Sequence, residues 1–133
     1  MDGDRVRFIT HRGQRVLIVD FSGCTALQVA TITDQVPSFV TIEPRGSVLL
    51  LADFSNAEID RSVLEHLKKA TVYDRPHVKR SAWVGAGSFP KAFYENLKAF
   101  SVREYPTFDT REEALNYLVS DDQEDTQELA SPA

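Results

Sequence analysis

One cysteine, Cys24, stands in a chain of 133 residues. It excludes an internal disulfide and a cysteine-rich zinc site, and it fits a reducing cytoplasm, the expected compartment. No apolar run approaches the roughly 18 residues a membrane-spanning helix needs, so no membrane span is expected. The N-terminal MDGDRVRF is charged and lacks the apolar core of a secretory signal. Basic charge is also scarce: 15 Lys and Arg stand against 20 Asp and Glu, for a net charge of −5. Phosphate backbones are held by basic faces, so nucleic acid is not an expected partner. His11, His66 and His77 lack metal-ligand spacing. Gly85-Ala86-Gly87 lacks the third glycine of a dinucleotide fingerprint, because Pro90 stands there. No catalytic motif and no cofactor motif emerges, and the chain is expected to be no enzyme.

What is present is enough to build a core. Apolar residues make up 42% of the chain, and a domain near this size buries about two-thirds of its unfolded surface. From position 121 the composition changes to DDQEDTQELASPA, acidic and nearly free of bulky apolar groups. The expectation is one domain over residues 1–120 and a disordered acidic tail over 121–133.

The central stretch is GSVLLLADFSNAEID, residues 46–60. It reads as a buried strand, a polar corner at Asp53, Ser55 and Asn56, and a helix from about Glu58. Before it, 5–11 alternates in the manner of a strand. Arg12-Gly13-Gln14 suits a tight turn, and 15–21 is a second strand, so the two form an antiparallel hairpin. Thr25 is a helix N-cap candidate. The helix after it is expected over 26–35, with a kink or restart at Pro37. Further helices are read at 58–73 and 89–100, the latter with Phe89, Phe93, Leu97 and Phe100 buried and Ser88 as cap. Strands follow at 78–84 and at 102–108, the latter short and demoted to a sheet edge by Pro106. A last helix starts after a capping box at Asp109 or Thr110. The order β-β-α-β-α-β-α-β-α predicts a mixed, mostly parallel five-stranded α/β sheet with an antiparallel N-terminal hairpin. Its edge strands leave room for a homodimer.

The runs VLIVDFSG, SVLLLADFS, VKRSAWVG and PTFDTREEALNYL resemble the SpoIIAA-like (STAS/SEC14-like) branch of STAS domains, over about residues 5–120. The resemblance implies a small α/β domain without catalysis, a regulatory role toward another protein, and, by analogy with lipid carriers, apolar ligands. Many STAS regulators carry Asp-Ser-Ser-Gly after the third strand, with a phosphorylatable serine. Here Asp53-Phe54-Ser55-Asn56 stands at that place: Asp53 and Ser55 match, while Phe54 and Asn56 depart.

Function in such sheets gathers beyond the carboxyl ends of the parallel strands. Two candidate sites follow. Asp53, Ser55 and Asn56 form a phosphorylation or partner site, against the simpler reading that they cap the following helix. Phe54, Gly85, Gly87, Ser88, Phe89 and Phe93 form a site for a small apolar ligand between helices and sheet, against the simpler reading that the rings fill the core. Cys24 lies at the same end, but no histidine is placed to activate it.

Overall fold

The computed structural model describes residues 5–87, 89–101 and 104–130, with side chains described up to position 120. Strands β1 (Val6–His11) and β2 (Gln14–Asp20) form the antiparallel hairpin. Arg12 and Gly13 turn it with φ of 51° and 81°. Positive φ at both central residues gives the turn whose twist matches the strands. Then follow α1 (Ala26–Val40), β3 (Val48–Asp53), α2 (Arg61–Asp74), β4 (Val78–Val84), α3 (Lys91–Ser101), β5 (Thr107–Phe108) and α4 (Arg111–Ala130). The sheet order is β1-β2-β3-β4-β5. All pairings after the hairpin are parallel, which is the mixed sheet the alternation predicted.

Both faces of the sheet are covered, so its central strands are apolar on both sides. Leu17, Val19 and Ala52 lie under α1, α2 and α3, whose Val29, Ile32, Val63 and Leu97 meet them. Val16, Ile18, Leu51 and Ala82 lie under α4, against Ala114 and Leu118. α4 opens with a capping box in which the Glu113 amide donates to Thr110 Oγ1 and the Thr110 amide to Glu113 Oε1. The expected boundary at position 121 falls within this helix, whose buried side chains run to Val119.

Four expectations are corrected. α1 runs unbroken through Pro37, because Val29, Ile32, Val36 and Val40 make one buried stripe across it. Thr25 caps it reciprocally with Gln28. Burying that stripe outweighs the one donor the proline removes. α2 starts at Arg61, not near Glu58, and Asp60 is its cap, accepting from the Val63 amide at 3.0 Å. On α3 the buried stripe is Phe93, Leu97 and Ser101, and Phe100 is 49% exposed. The last strand is two residues, Thr107–Phe108; of the longer span expected, Val102 and Arg103 lie outside the described residues, as does the expected cap Ser88.

Candidate functional site

The carboxyl ends of the parallel strands meet at one corner, knitted by backbone bonds. The Gly23 amide donates to Ser55 O, Phe54 to Val84 O, Gly85 to Phe108 O and Glu58 to Cys24 O, at 2.8–3.2 Å. Segments far apart in sequence are thereby held as one surface.

Two of these segments share the tripeptide Asp-Phe-Ser and the same shape. Asp20-Phe21-Ser22-Gly23 ends β2, and Asp53-Phe54-Ser55-Asn56 ends β3; Asp20 and Asp53 are paired in register. Asp20 Oδ1 accepts from the Ser22 amide at 2.9 Å, and Asp53 Oδ1 from the Ser55 amide at 2.9 Å. An aspartate bonding two residues on makes an Asx turn. Each turn ends at positive φ, 68° at Gly23 and 58° at Asn56. Asparagine is one of the few side chains that tolerate it. The two phenylalanines point inward and stack with centroids 4.7 Å apart.

Arg111, in the first turn of α4, closes the pair. Its Nε donates to Asp53 Oδ2 at 2.6 Å, and its Nη2 lies 3.2 Å from Asp20 Oδ1. Arg5 adds a bond to Ser22 O at 2.8 Å. Burial alone raises the Asp20 pKa, but the Ser22 bonds and the charges of Arg111 and Arg5 outweigh it and hold the carboxyl below its usual range. The same carboxylates, against its own burial, raise the Arg111 pKa. Asp53 is 5% exposed. It is therefore committed to Arg111 and to its own turn, and it does not cap α2.

Ser55 is half-buried and packed against Gly85. A Cβ at Gly85 would lie 2.6 Å from Ser55 Oγ and 2.8 Å from its Cα, and Gly85 has φ of 73°. Gly85 thus lets two loops touch. Asn56 and Gly87 are exposed. Leu27, in the first turn of α1 just past the corner, is 76% exposed. The sequence reading did not single out Asp20, Arg5, Arg111 or Leu27. The signal for the first was present: the tripeptide Asp-Phe-Ser occurs at the end of two strands.

The rings expected around a ligand pack on one another. Phe54 contacts Trp83 at 4.8 Å and Phe89 at 5.0 Å, and Phe89 contacts Phe93 at 5.5 Å. A cavity of about 70 Å³ lies beside them, between α1, α2, α3 and the sheet. Phe54 lines it, but Phe89, Phe93, Gly85 and Gly87 do not. Cys24 is buried, and burial raises its thiol pKa. The histidines are engaged elsewhere: His11 with Asn116, His66 with Asp34, and His77 with the Glu43 carbonyl. Among the described residues no cluster of three potential metal ligands occurs, and no helix is long and apolar enough to cross a membrane. No protein-family model matches the chain, and no curated protein matches it.

Proposed function

We propose that the chain is a non-enzymatic interaction module of STAS-like type, and that another protein docks on the strand-end corner. The observation that carries this reading is the bridging of Asp20 and Asp53 by Arg111. Both carboxylates are bound to fixed donors, so the corner is a charge-compensated platform rather than a proton-transfer site. A rigid platform loses little entropy on docking. What it turns outward is Asn56 with its backbone fixed in a left-handed turn, the edge of Ser55, and the exposed side chain of Leu27. An exposed apolar side chain in the first turn of the helix that leaves the corner suits an interface anchor, and the fixed polar groups of the corner suit its rim. The sheet order and the place of Asp53-Phe54-Ser55-Asn56 between β3 and α2 accord with the SpoIIAA-like resemblance.

Ser55 is the regulatory element in this reading. A phosphoryl group there adds about −1.5 to −2 charges beside Asp53, and the contact with Gly85 forces the loop to shift. Ser55→Asp is expected to weaken the partner's binding. The test is photo-crosslinking from position 56 in the cells of origin, with the captured protein then titrated against wild type, Ser55→Asp and Leu27→Glu. Reduced affinity in both variants supports the corner. A partner bound equally by all three forms removes it.

A further inference from the structure

The cavity between the helices and the sheet contains a group that the fold leaves unsatisfied. Asp74 is the last residue of α2, is 9% exposed, and lines the cavity. Among the described residues its Oδ1 is buried with no hydrogen-bond donor. Its backbone carbonyl does structural work, accepting from the His77 amide at 2.9 Å. Oδ1 does none. A carboxylate at a helix C-terminus opposes the helix dipole, and a buried acceptor without a donor is costly. Folding alone gives no reason for an aspartate here, whereas a ligand bearing a donor does.

The rest of the lining defines that ligand. Val36, Leu50, Leu67, Trp83 and Leu97 make the walls apolar. The ionisable groups on the lining are Asp74 at the end of α2, Arg75 that caps it, and Tyr105 before β5; α1, β2, β3, β4 and α3 contribute none. The Tyr105 hydroxyl is already bonded to Ser101 Oγ at 2.8 Å. The walls are apolar, and an ammonium head loses far more hydration on entering them than a neutral hydroxyl does, so a neutral donor is the better match. The volume of about 70 Å³ is roughly half that of a cavity that accepts a benzene ring. We propose that this cavity binds a small neutral alcohol, its short apolar chain lying against Leu67, Trp83 and Leu97 and its hydroxyl donating to Asp74 Oδ1. The site lies between the helices and the sheet and does not depend on docking at the corner.

The test uses 3-fluoropropan-1-ol and, as the analogue without a hydroxyl, 1-fluoropropane. Each is titrated into the full chain and followed by fluorine NMR and by the indole N–H of Trp83, the chain's one tryptophan. The alcohol is expected to give a saturable shift at Trp83 and to bind about tenfold tighter than the alkane, the factor one hydrogen bond to a charged or partly charged acceptor supplies. Asp74→Leu is expected to abolish that preference. Ala70→Leu, which adds bulk to the lining, is expected to abolish binding of both, and it keeps the question open to decision should Asp74→Leu not fold. Equal affinity for alcohol and alkane overturns the proposal. So does a Trp83 signal that does not move, which would leave ordered water as the cavity's occupant, and so does a preference that survives Asp74→Leu.

Discussion

Asp20, Asp53 and Asp74 are all withdrawn from solvent to some degree, and their surroundings separate them. The first two have donors. Asp53 Oδ2 sits 2.6 Å from Arg111 Nε, and removing one partner of a buried pair leaves the other charge stranded. Arg111→Met is expected to lower stability by about 2 kcal/mol, toward the small end of that effect because the arginine side chain is 35% exposed. The midpoint of urea unfolding measures it. Asp74 Oδ1 has no donor among the described residues, and burial pushes the pKa of the carboxyl from the ordinary 3.8 up to about 7. Between those values the native state holds a proton that the unfolded state has released. Stability contributed by this group is therefore fully present below about pH 4 and is lost as pH rises toward and through 7. The loss amounts to about 4 kcal/mol. Asp20 works the other way: its lowered pKa contributes stability that is present above 3.8 and lost as pH falls through its folded value. Asp74→Asn is expected to be more stable than wild type at pH 8 and to have a flatter stability curve between pH 5 and 8. Urea melts at both pH values check this; parallel curves for the two proteins would contradict it.

At the scale of elements, the corner depends on how closely two loops approach. Gly85 after β4 meets Ser55 after β3, with positive φ on the glycine side. Any side chain there meets both backbone strain and a clash with Ser55 backbone atoms. Gly85→Ala is expected to cost about 2–3 kcal/mol, whereas Gly87→Ala, with open space around its Cβ position, should change stability by less than about 0.5 kcal/mol. Thermal melts of the pair separate a local contact from a general effect of glycine. α1 teaches a related lesson. Its proline suggests a break, yet the helix continues because the buried stripe on either side of Pro37 is one face against one sheet. Restoring the missing donor with Pro37→Ala is expected to raise stability by about 1–2 kcal/mol, less than the full helix-interior penalty because proline also restricts the unfolded chain.

At the scale of the whole molecule, the sheet separates two cores that share its central strands. Leu17 and Val19 serve one side, and Val16 and Ile18 the other. Neither side can open without exposing one whole face of β2 and β3, the strands both cores share, so cooperative unfolding is expected. Trp83 reports from the side under α1, α2 and α3, and circular dichroism reports helix from both. The two urea transitions are expected to coincide; a separate, earlier loss of helical signal would show that α4 detaches on its own.

The sequence by itself determined the α/β class, the order of elements and the hairpin, because these rest on period, turn residues and apolar runs that are local. It also determined that Asp53, Ser55 and Asn56 stand at a strand end. It did not determine what those residues do there. Asp53 reads as a helix cap until Arg111, 58 positions away, is seen at its carboxylate. A cap is a matter of a few neighbouring residues, whereas an ion pair across the sheet depends on where α4 begins relative to β3. Asp74 shows the same division. In the sequence it is one acidic residue in an ordinary turn, Asp74-Arg75-Pro76-His77. Only the packing around the end of α2 removes its water and leaves Oδ1 without a donor among the described residues. Desolvation is the sum of what surrounds an atom in three dimensions, and no short stretch of sequence carries that sum.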